Sequence, residues 1–278
     1  MKLVTFATKD GPRLGAVRGE DVIDLAEASG GKLPADMIAF LEAGAEAMDL
    51  ARKLKKDAKA SAALSDVTLL APVPCPSKVI AIGQNYMDHC REQGVEPPTS
   101  PVIFTKFTTA IVGPGAEVRW DPALTSKVDY EVELAVVIGK EARRVSADDA
   151  LDYVAGSTVC NDVSARNLQF SDGQWVRGKS LDTFCPLGPW LVTRDEIAEP
   201  QDLALRSIGL SMRQRWTGGQ MRLGASAELD AQNKPLLGGI GQIELANMGQ
   251  QSLQCAFNVA TRDFSKIERF KLDLILHL

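Results

Sequence analysis

Seven residues near the middle of the chain, Val128-Asp129-Tyr130-Glu131-Val132-Glu133-Leu134, alternate apolar and acidic side chains with a period of two. That period belongs to a β-strand and puts Asp129, Glu131 and Glu133 on one face. The plainest reading is a half-exposed strand with its charges in water. Two physical facts argue for more. Acidic residues are poor strand formers, and carboxylates about 7 Å apart on one face repel unless something positive lies among them. The apolar run continues to Ile138, which predicts a strand that enters the interior. A buried carboxylate pair needs a cation, and a metal ion would supply it.

The supply of other ligands narrows the choice. The chain of 278 residues has two histidines, His89 and His277, too few for an imidazole-based metal site. Any metal must be held mainly by carboxylates, whose hard oxygens select Mg²⁺, Mn²⁺ or Ca²⁺. A third carboxylate stands in Cys160-Asn161-Asp162-Val163-Ser164-Ala165-Arg166-Asn167-Leu168-Gln169, where a strand pattern ends in Asn-Asp. Asp162 reads either as a helix N-cap or as a third oxygen ligand. In Asn85-Tyr86-Met87-Asp88-His89-Cys90-Arg91-Glu92, His89 and Glu92 are i,i+3 neighbours on a predicted helix. A carboxylate beside an imidazole raises its basicity and fixes its tautomer, which suits a general base. Gly173-Gln-Trp-Val-Arg-Gly178-Lys179-Ser180 has the spacing of a phosphate loop. Its bulky Trp175 and Val176, and the Phe-Cys-Pro that follows, argue against one.

Composition removes several classes. A formal net charge of −5 and a pI near 5.2 disfavour a general nucleic-acid binder. The basic run at residues 52–56 reads as a solvated helix face. Nowhere do about 18 apolar residues run together, so no membrane-spanning helix is expected. The start of the chain does not read as a secretory signal. Five widely spaced cysteines without a C-x-x-C suit neither a disulfide framework nor a zinc site, and the cytoplasm is the default location. Along the chain, residues 2–7 and 13–18 predict a hairpin and 21–25 a third strand. Residues 34–42, with Pro34 in the first turn, and 45–60 predict helices. The Pro-rich segment 71–76 reads as a domain boundary. Beyond it, strands are expected at 78–83, 102–107, 128–138 and 158–163, with helices at 85–93 and 146–153.

Read in order, five segments resemble the fumarylacetoacetate hydrolase family. They are Ile82-Gly83-Gln84-Asn85-Tyr86 with His89 and Glu92, Val102-Ile103-Phe104-Thr105-Lys106, Asp129-Tyr130-Glu131-Val132-Glu133-Leu134, Asn161-Asp162-Val163-Ser164-Ala165-Arg166 with Gln169, and Lys179-Ser-Leu-Asp-Thr-Phe-Cys-Pro-Leu-Gly-Pro189. The resemblance implies an α+β fold: a small N-terminal α/β domain over residues 1–70, then a mixed β-roll catalytic domain over 71–278, in a homodimer. It implies Glu131, Glu133 and Asp162 as Mg²⁺ or Mn²⁺ ligands and His89 and Glu92 as the water-activating dyad on a lid helix. Lys179 would be the active-site lysine, and Arg166, Gln169 and Tyr86 would contact substrate. The expected substrate is a small 2-oxo acid, and the expected reaction is hydrolytic C–C cleavage of an acylpyruvate. Decarboxylation, isomerisation or hydration at the same metal is the alternative, and a non-catalytic binder of a 2-oxo acid a further one.

The resemblance runs over residues 1–206. Past that point the family's Gly-Asp-x-Ile strand and Thr-Gly-Thr-Pro loop are absent. Valine occurs twenty times in residues 1–206 and once, at Val259, in 207–278, while seven of twelve glutamines fall in that last stretch. Either the stretch is divergent or it is out of frame. If divergent, strands at 242–245, 253–259 and 270–278 are expected to run beside residues 131–138 and complete the roll.

Overall fold

The computed structural model describes residues 1–197 and the backbone of four later strands given below; the side chains of Asp88, His89 and Glu92 also lie outside the described residues. The expected hairpin forms from β1 (Lys2–Thr8) and β2 (Gly11–Arg18), and β3 (Asp21–Asp24) pairs with β2. Its alternation is weak in the sequence because both faces of the hairpin are covered. Leu3, Leu14 and Ala16 pack on one side with Met37 and Phe40, while Val4, Phe6, Val17 and Val22 pack on the other with Leu69 and Trp190.

Asp24 ends β3 and caps α1 (Leu25–Ala28), its Oδ1 accepting from Glu27 N–H at 2.9 Å. Arg13 grips the same carboxylate with two hydrogen bonds of 2.6 and 2.7 Å, tying hairpin to helix. The next helices are α2 (Met37–Glu42) and α3 (Gly44–Asp57). Pro34 falls before α2 rather than in its first turn. The cap is Asp36, which accepts from Ala39 N–H at 2.9 Å.

The Pro-rich segment does not divide the sheet. After β4 (Ala62–Ala63) and β5 (Leu69–Leu70), residues 71–76 pack back onto the hairpin. Ala71 and Val73 are buried, and Thr5 Oγ1 donates to Pro72 O at 2.7 Å. β1 pairs directly with β13 (Cys185–Thr193), Leu3 opposite Leu191. One nine-stranded sheet therefore runs β10 (Val132–Ile138), β11 (Val154–Asn161), β13, β1, β2, β3, β4, with β5 joined to β1 and β8 (Ile111–Val112) to β13. The boundary expected at 71–76 separates two hydrophobic cores, one under the N-terminal helices and one around Cys160, Val163, Leu168 and Phe184, but the sheet is shared.

Three further expectations change. The predicted strand 128–138 breaks in two, β9 (Val128–Asp129) and β10 (Val132–Ile138), with Tyr130 and Glu131 between them. The face of β10 that turns inward is the one carrying Glu133: Ala135 and Val137 pack into the two cores, while Val136 and Ile138 are 47% and 55% exposed. Residues 146–153 form no α-helix. Ser146 and Asp149 exchange the hydrogen bonds of a helix start, but only a 3₁₀ turn follows, Ala150–Tyr153. Finally, β15 (Pro235–Met248), β16 (Gln251–Thr261) and β17 (Asp273–His277) fall on the three expected segments, β14 (Glu228–Leu229) was not expected, and the four pair with one another in their own sheet. Among the described residues β10 pairs only with β11 (Val154–Asn161).

A separate two-stranded sheet, β6 (Ile80–Gly83) with β7 (Val102–Thr105), flanks the second core and carries α4 (Met87–Gln93) in its connection. Gly94 closes α4 at φ 64°, a left-handed turn that glycine takes without cost.

The shared sheet makes a direct prediction. A fragment of residues 71–278 loses β1, one of the neighbours of β13, and the N-terminal side chains that pack with Leu191, and is expected to be insoluble or to melt without cooperativity. A soluble fragment with a sharp melt would show that residues 1–70 are a separable domain.

Candidate active site

The site is built where the chain changes partners. Asp162 N–H donates to Glu131 O at 2.9 Å, and Glu131 N–H donates to Asn161 Oδ1 at 3.1 Å. Beside this, β9 pairs with β12 (Ser164–Ala165), Asp129 opposite Ser164. The break between β9 and β10 thus fastens Glu131 to the end of β11, and two carboxylates from distant segments meet.

Asp162 is no helix cap: α5 (Arg166–Ser171) begins after Ala165 without a side-chain cap. It is 4% exposed, and two buried ammonium groups hold it. Lys179 Nζ donates to Asp162 Oδ2 at 2.7 Å and to Glu131 Oε2 at 2.9 Å, while Lys106 Nζ donates to Asp162 Oδ1 at 2.6 Å. Arg166 Nη1 lies 2.5 Å from Glu131 Oε1. The Arg166 Nε and Nη2 groups bind Asp129 Oδ2 at 3.0 and 2.7 Å, and its Nη1 donates to the buried Gln169 Oε1 at 3.0 Å. Burial works against the charge of Arg166, yet Asp129 and Glu131 hold its pKa above the ordinary guanidinium value.

Lys179 reaches this position through a glycine. Gly173 and Gly178 flank no phosphate loop; the segment forms a short helix, α6 (Trp175–Lys179). A Cβ on Gly178 would lie 2.5 Å from the Gln169 N and 2.7 Å from the Ala165 O, so only glycine lets α6 press against α5. The Lys179 ammonium also sits 5.1 Å from the centre of the Phe104 ring, whose other neighbour is Trp175, edge-on at 5.6 Å.

Glu133 projects toward the same cluster. Burial, with the like charges of Glu131 and Asp162, raises its pKa from 4.5 to about 7, against the pull of Tyr86 and Lys179. Tyr86 is half-buried just before α4; its hydroxyl accepts from Leu134 N–H at 3.4 Å, and burial beside Glu133 pushes its pKa up to about 12. The backbones of His89 and Glu92 lie in α4, but their side chains, and so the expected dyad, lie outside the described residues.

The donor set has the chemistry of a hard-cation site. Glu131 and Asp162 meet across the Lys179 ammonium, and Glu133 beside them has its pKa raised to about 7, chiefly by burial. As they stand, no three acidic, His or Cys side chains among the described residues are close enough to hold an ion. A divalent cation held by Glu131, Glu133 and Asp162 would have to take the place of the Lys179 ammonium between Glu131 and Asp162. Lys106 closes segment 102–106 of the family resemblance, but its sequence context pointed to no role. Cys160 and Cys185 lie behind Asp162 as thiols, with sulfurs 3.5 Å apart.

This geometry can be tested at two residues. Gly178→Ala forces α6 away from α5; overpacking of this kind costs about 1–3 kcal/mol, so a lower Tm and lost activity are expected, and a variant with the parent's values of both would refute the close approach. For Glu133, the unfolded chain loses its proton near 4.5 and the metal-free folded chain near 7. Between those values the folded state binds more protons, so its stability falls as pH rises. Glu133→Gln should flatten that slope of Tm against pH, measured with a chelator present; an unchanged slope would take Glu133 out of the buried cluster.

The family model described as fumarylacetoacetate (FAA) hydrolase C-terminal matches residues 78–222. The Xenopus laevis mitochondrial oxaloacetate tautomerase fahd2 is 45% identical over 212 residues, covering 74% of this chain and 66% of the relative. Human mitochondrial oxaloacetate tautomerase FAHD2A is 47% identical over 211 residues, covering 74% and 67%. The chain thus spans about two thirds of the length of these curated relatives. Among solved structures, maleylpyruvate hydrolase from Sphingobium sp. SYK-6, in complex with manganese(II) and pyruvate, superposes with a TM-score of 0.56 at 31% identity, covering 72% of this chain and 70% of that one. On the match to the family model and the identity to these relatives, the chain belongs to the fumarylacetoacetate hydrolase family.

Proposed function

We propose that the chain binds a small 2-oxo acid at the cluster of Glu131, Glu133, Asp162 and Lys179 and promotes enolisation next to the ketone, with oxaloacetate the first substrate to test. The observation that carries this reading is the buried Lys179 ammonium, held between Glu131 and Asp162. In keto–enol interconversion a proton leaves the carbon beside the ketone and one arrives on the ketone oxygen, so negative charge builds on that oxygen in between. A fixed donor in a water-poor site stabilises such charge far better than water does. Lys179, once released from its carboxylates, is that donor. Arg166, whose Nε and Nη2 groups are held by Asp129 and whose Nη1 is shared by Glu131 and Gln169, would bind a substrate carboxylate by exchanging Asp129 for it. A hard divalent ion held by Glu131, Glu133 and Asp162 would supply Lewis acidity for the 2-oxo group. The names of the relatives at 45% and 47% identity support the tautomerase reading.

Hydrolytic cleavage of an acylpyruvate is the second reading. It is favoured by α4, whose first turn is fastened at the rim of the cluster by the Tyr86 hydroxyl and whose backbone carries His89 and Glu92. The manganese and pyruvate in the maleylpyruvate hydrolase similar to this chain agree with it.

With Mg²⁺ or Mn²⁺ present, the protein is expected to speed the decay of enol absorbance in fresh oxaloacetate solutions, and Lys179→Met to lower kcat/KM by about 10²–10³-fold. The same variant should bind Mn²⁺ more tightly, because its competing ammonium is gone. Release of pyruvate from acylpyruvates without oxaloacetate tautomerisation would put the second reading first. Full activity of Lys179→Met would reject the site.

A further inference from the structure

Lys106 is buried at 2% exposure, and each of its three ammonium protons has an acceptor. It donates to Asp162 Oδ1 at 2.6 Å, to Val163 O at 3.2 Å and to the carbonyl of Lys179. An ammonium has three donors and no more, so Lys106 has no proton left for a substrate. Its partners come from three places that must stay in register: the carboxylate after β11, the backbone that follows it, and the end of α6 where Lys179 begins. Lys106 itself follows β7. Around it Phe107 N–H donates to Ser180 Oγ at 3.1 Å, and Ser180 Oγ to Thr105 O at 3.4 Å, so the end of the β6–β7 hairpin is stitched to α6 on both sides of the lysine. The same hairpin carries α4, whose Tyr86 reaches back to β10.

We propose that Lys106 is a positioning residue: it holds the Asp162 carboxylate in one orientation and locks the hairpin that bears α4 to the end of α6. This rests on the reading of Asp162 as a ligand for a divalent cation. With Oδ1 kept on Lys106, Oδ2, now bound by Lys179, is the oxygen that would be left for a cation. The two lysines would then divide the work, Lys179 giving way to an ion and Lys106 staying.

Charge alone and positioning predict opposite results. Removing either buried ammonium deletes one positive charge beside Asp162, which by electrostatics should tighten divalent-ion binding. A residue that orients a ligand does the reverse: its loss typically costs 10–100-fold in metal affinity or activity. Mn²⁺ titrations by calorimetry on the full chain distinguish them, with Lys179→Met as the charge control. Lys106→Met is expected to bind Mn²⁺ about 10–100-fold more weakly than the parent, and the Mn²⁺-induced protection of residues 78–107 from hydrogen exchange should disappear. Binding by Lys106→Met as tight as the parent's, or tighter, overturns the proposal. A parent chain that binds no Mn²⁺ instead overturns the cation reading beneath it. If Lys106→Met fails to melt cooperatively, Lys106→Gln, which keeps an amide donor for Asp162, takes its place. Failure of both to fold would make Lys106 a core residue and also overturn the proposal.

Discussion

The buried Asp162 carboxylate between two buried lysines is the constraint around which the site is arranged. Removing one partner from such a pair costs about 3–5 kcal/mol, because the charge left behind is neither hydrated nor paired. Every segment that touches the cluster is therefore held to it: β11 by its last residues, the β9–β10 break by Glu131, α6 by Lys179 and the β6–β7 hairpin by Lys106. A cluster of this kind contributes little net stability against an apolar core of equal volume. What it supplies is fixed charge at a defined place, which is what chemistry beside a ketone requires.

The rest of the fold is the frame for that cluster. The close fit of α6 against α5, which only Gly178 permits, carries Lys179 beneath the surface. The sheet that presents Glu133 is continuous with the N-terminal hairpin through β13, so the helices around Met37 and Phe40 lie on the same scaffold as the site. Among the described residues β10 is the last strand of its sheet, and it turns its acidic face, rather than its most apolar one, toward the cores. That inversion follows from Glu133, Ala135 and Val137 sharing one side of the strand.

Much of the site was legible from local pattern. Period-two alternation put Glu133 on a strand, though it missed the break at Glu131, and the scarcity of histidine pointed to carboxylate chemistry. Asp162 was ambiguous, because an Asp after a strand serves equally well as a cap. Only Lys106 and Lys179, 56 and 17 residues away, resolve it. Lys106 went unread because a lysine closing an apolar strand looks the same in sequence whether its ammonium meets water or a buried carboxylate. The Pro-rich segment misled for a similar reason: proline marks an irregular backbone, not whether that backbone is covered, and here Ala71 and Val73 are buried against the hairpin.

What the sequence determined by itself was therefore local: the hairpin, the two helices within residues 34–60 and the period that carries Glu133 along β10. Each depends on residues a few positions apart, within reach of one turn or one strand. The tertiary structure decided which of these elements share a sheet, where the strand at Glu131 breaks, and which ammonium groups neutralise Asp162. Those outcomes depend on pairings such as Leu3 with Leu191 and Lys106 with Asp162, whose partners no local period encodes and which only the packed chain brings within hydrogen-bonding distance.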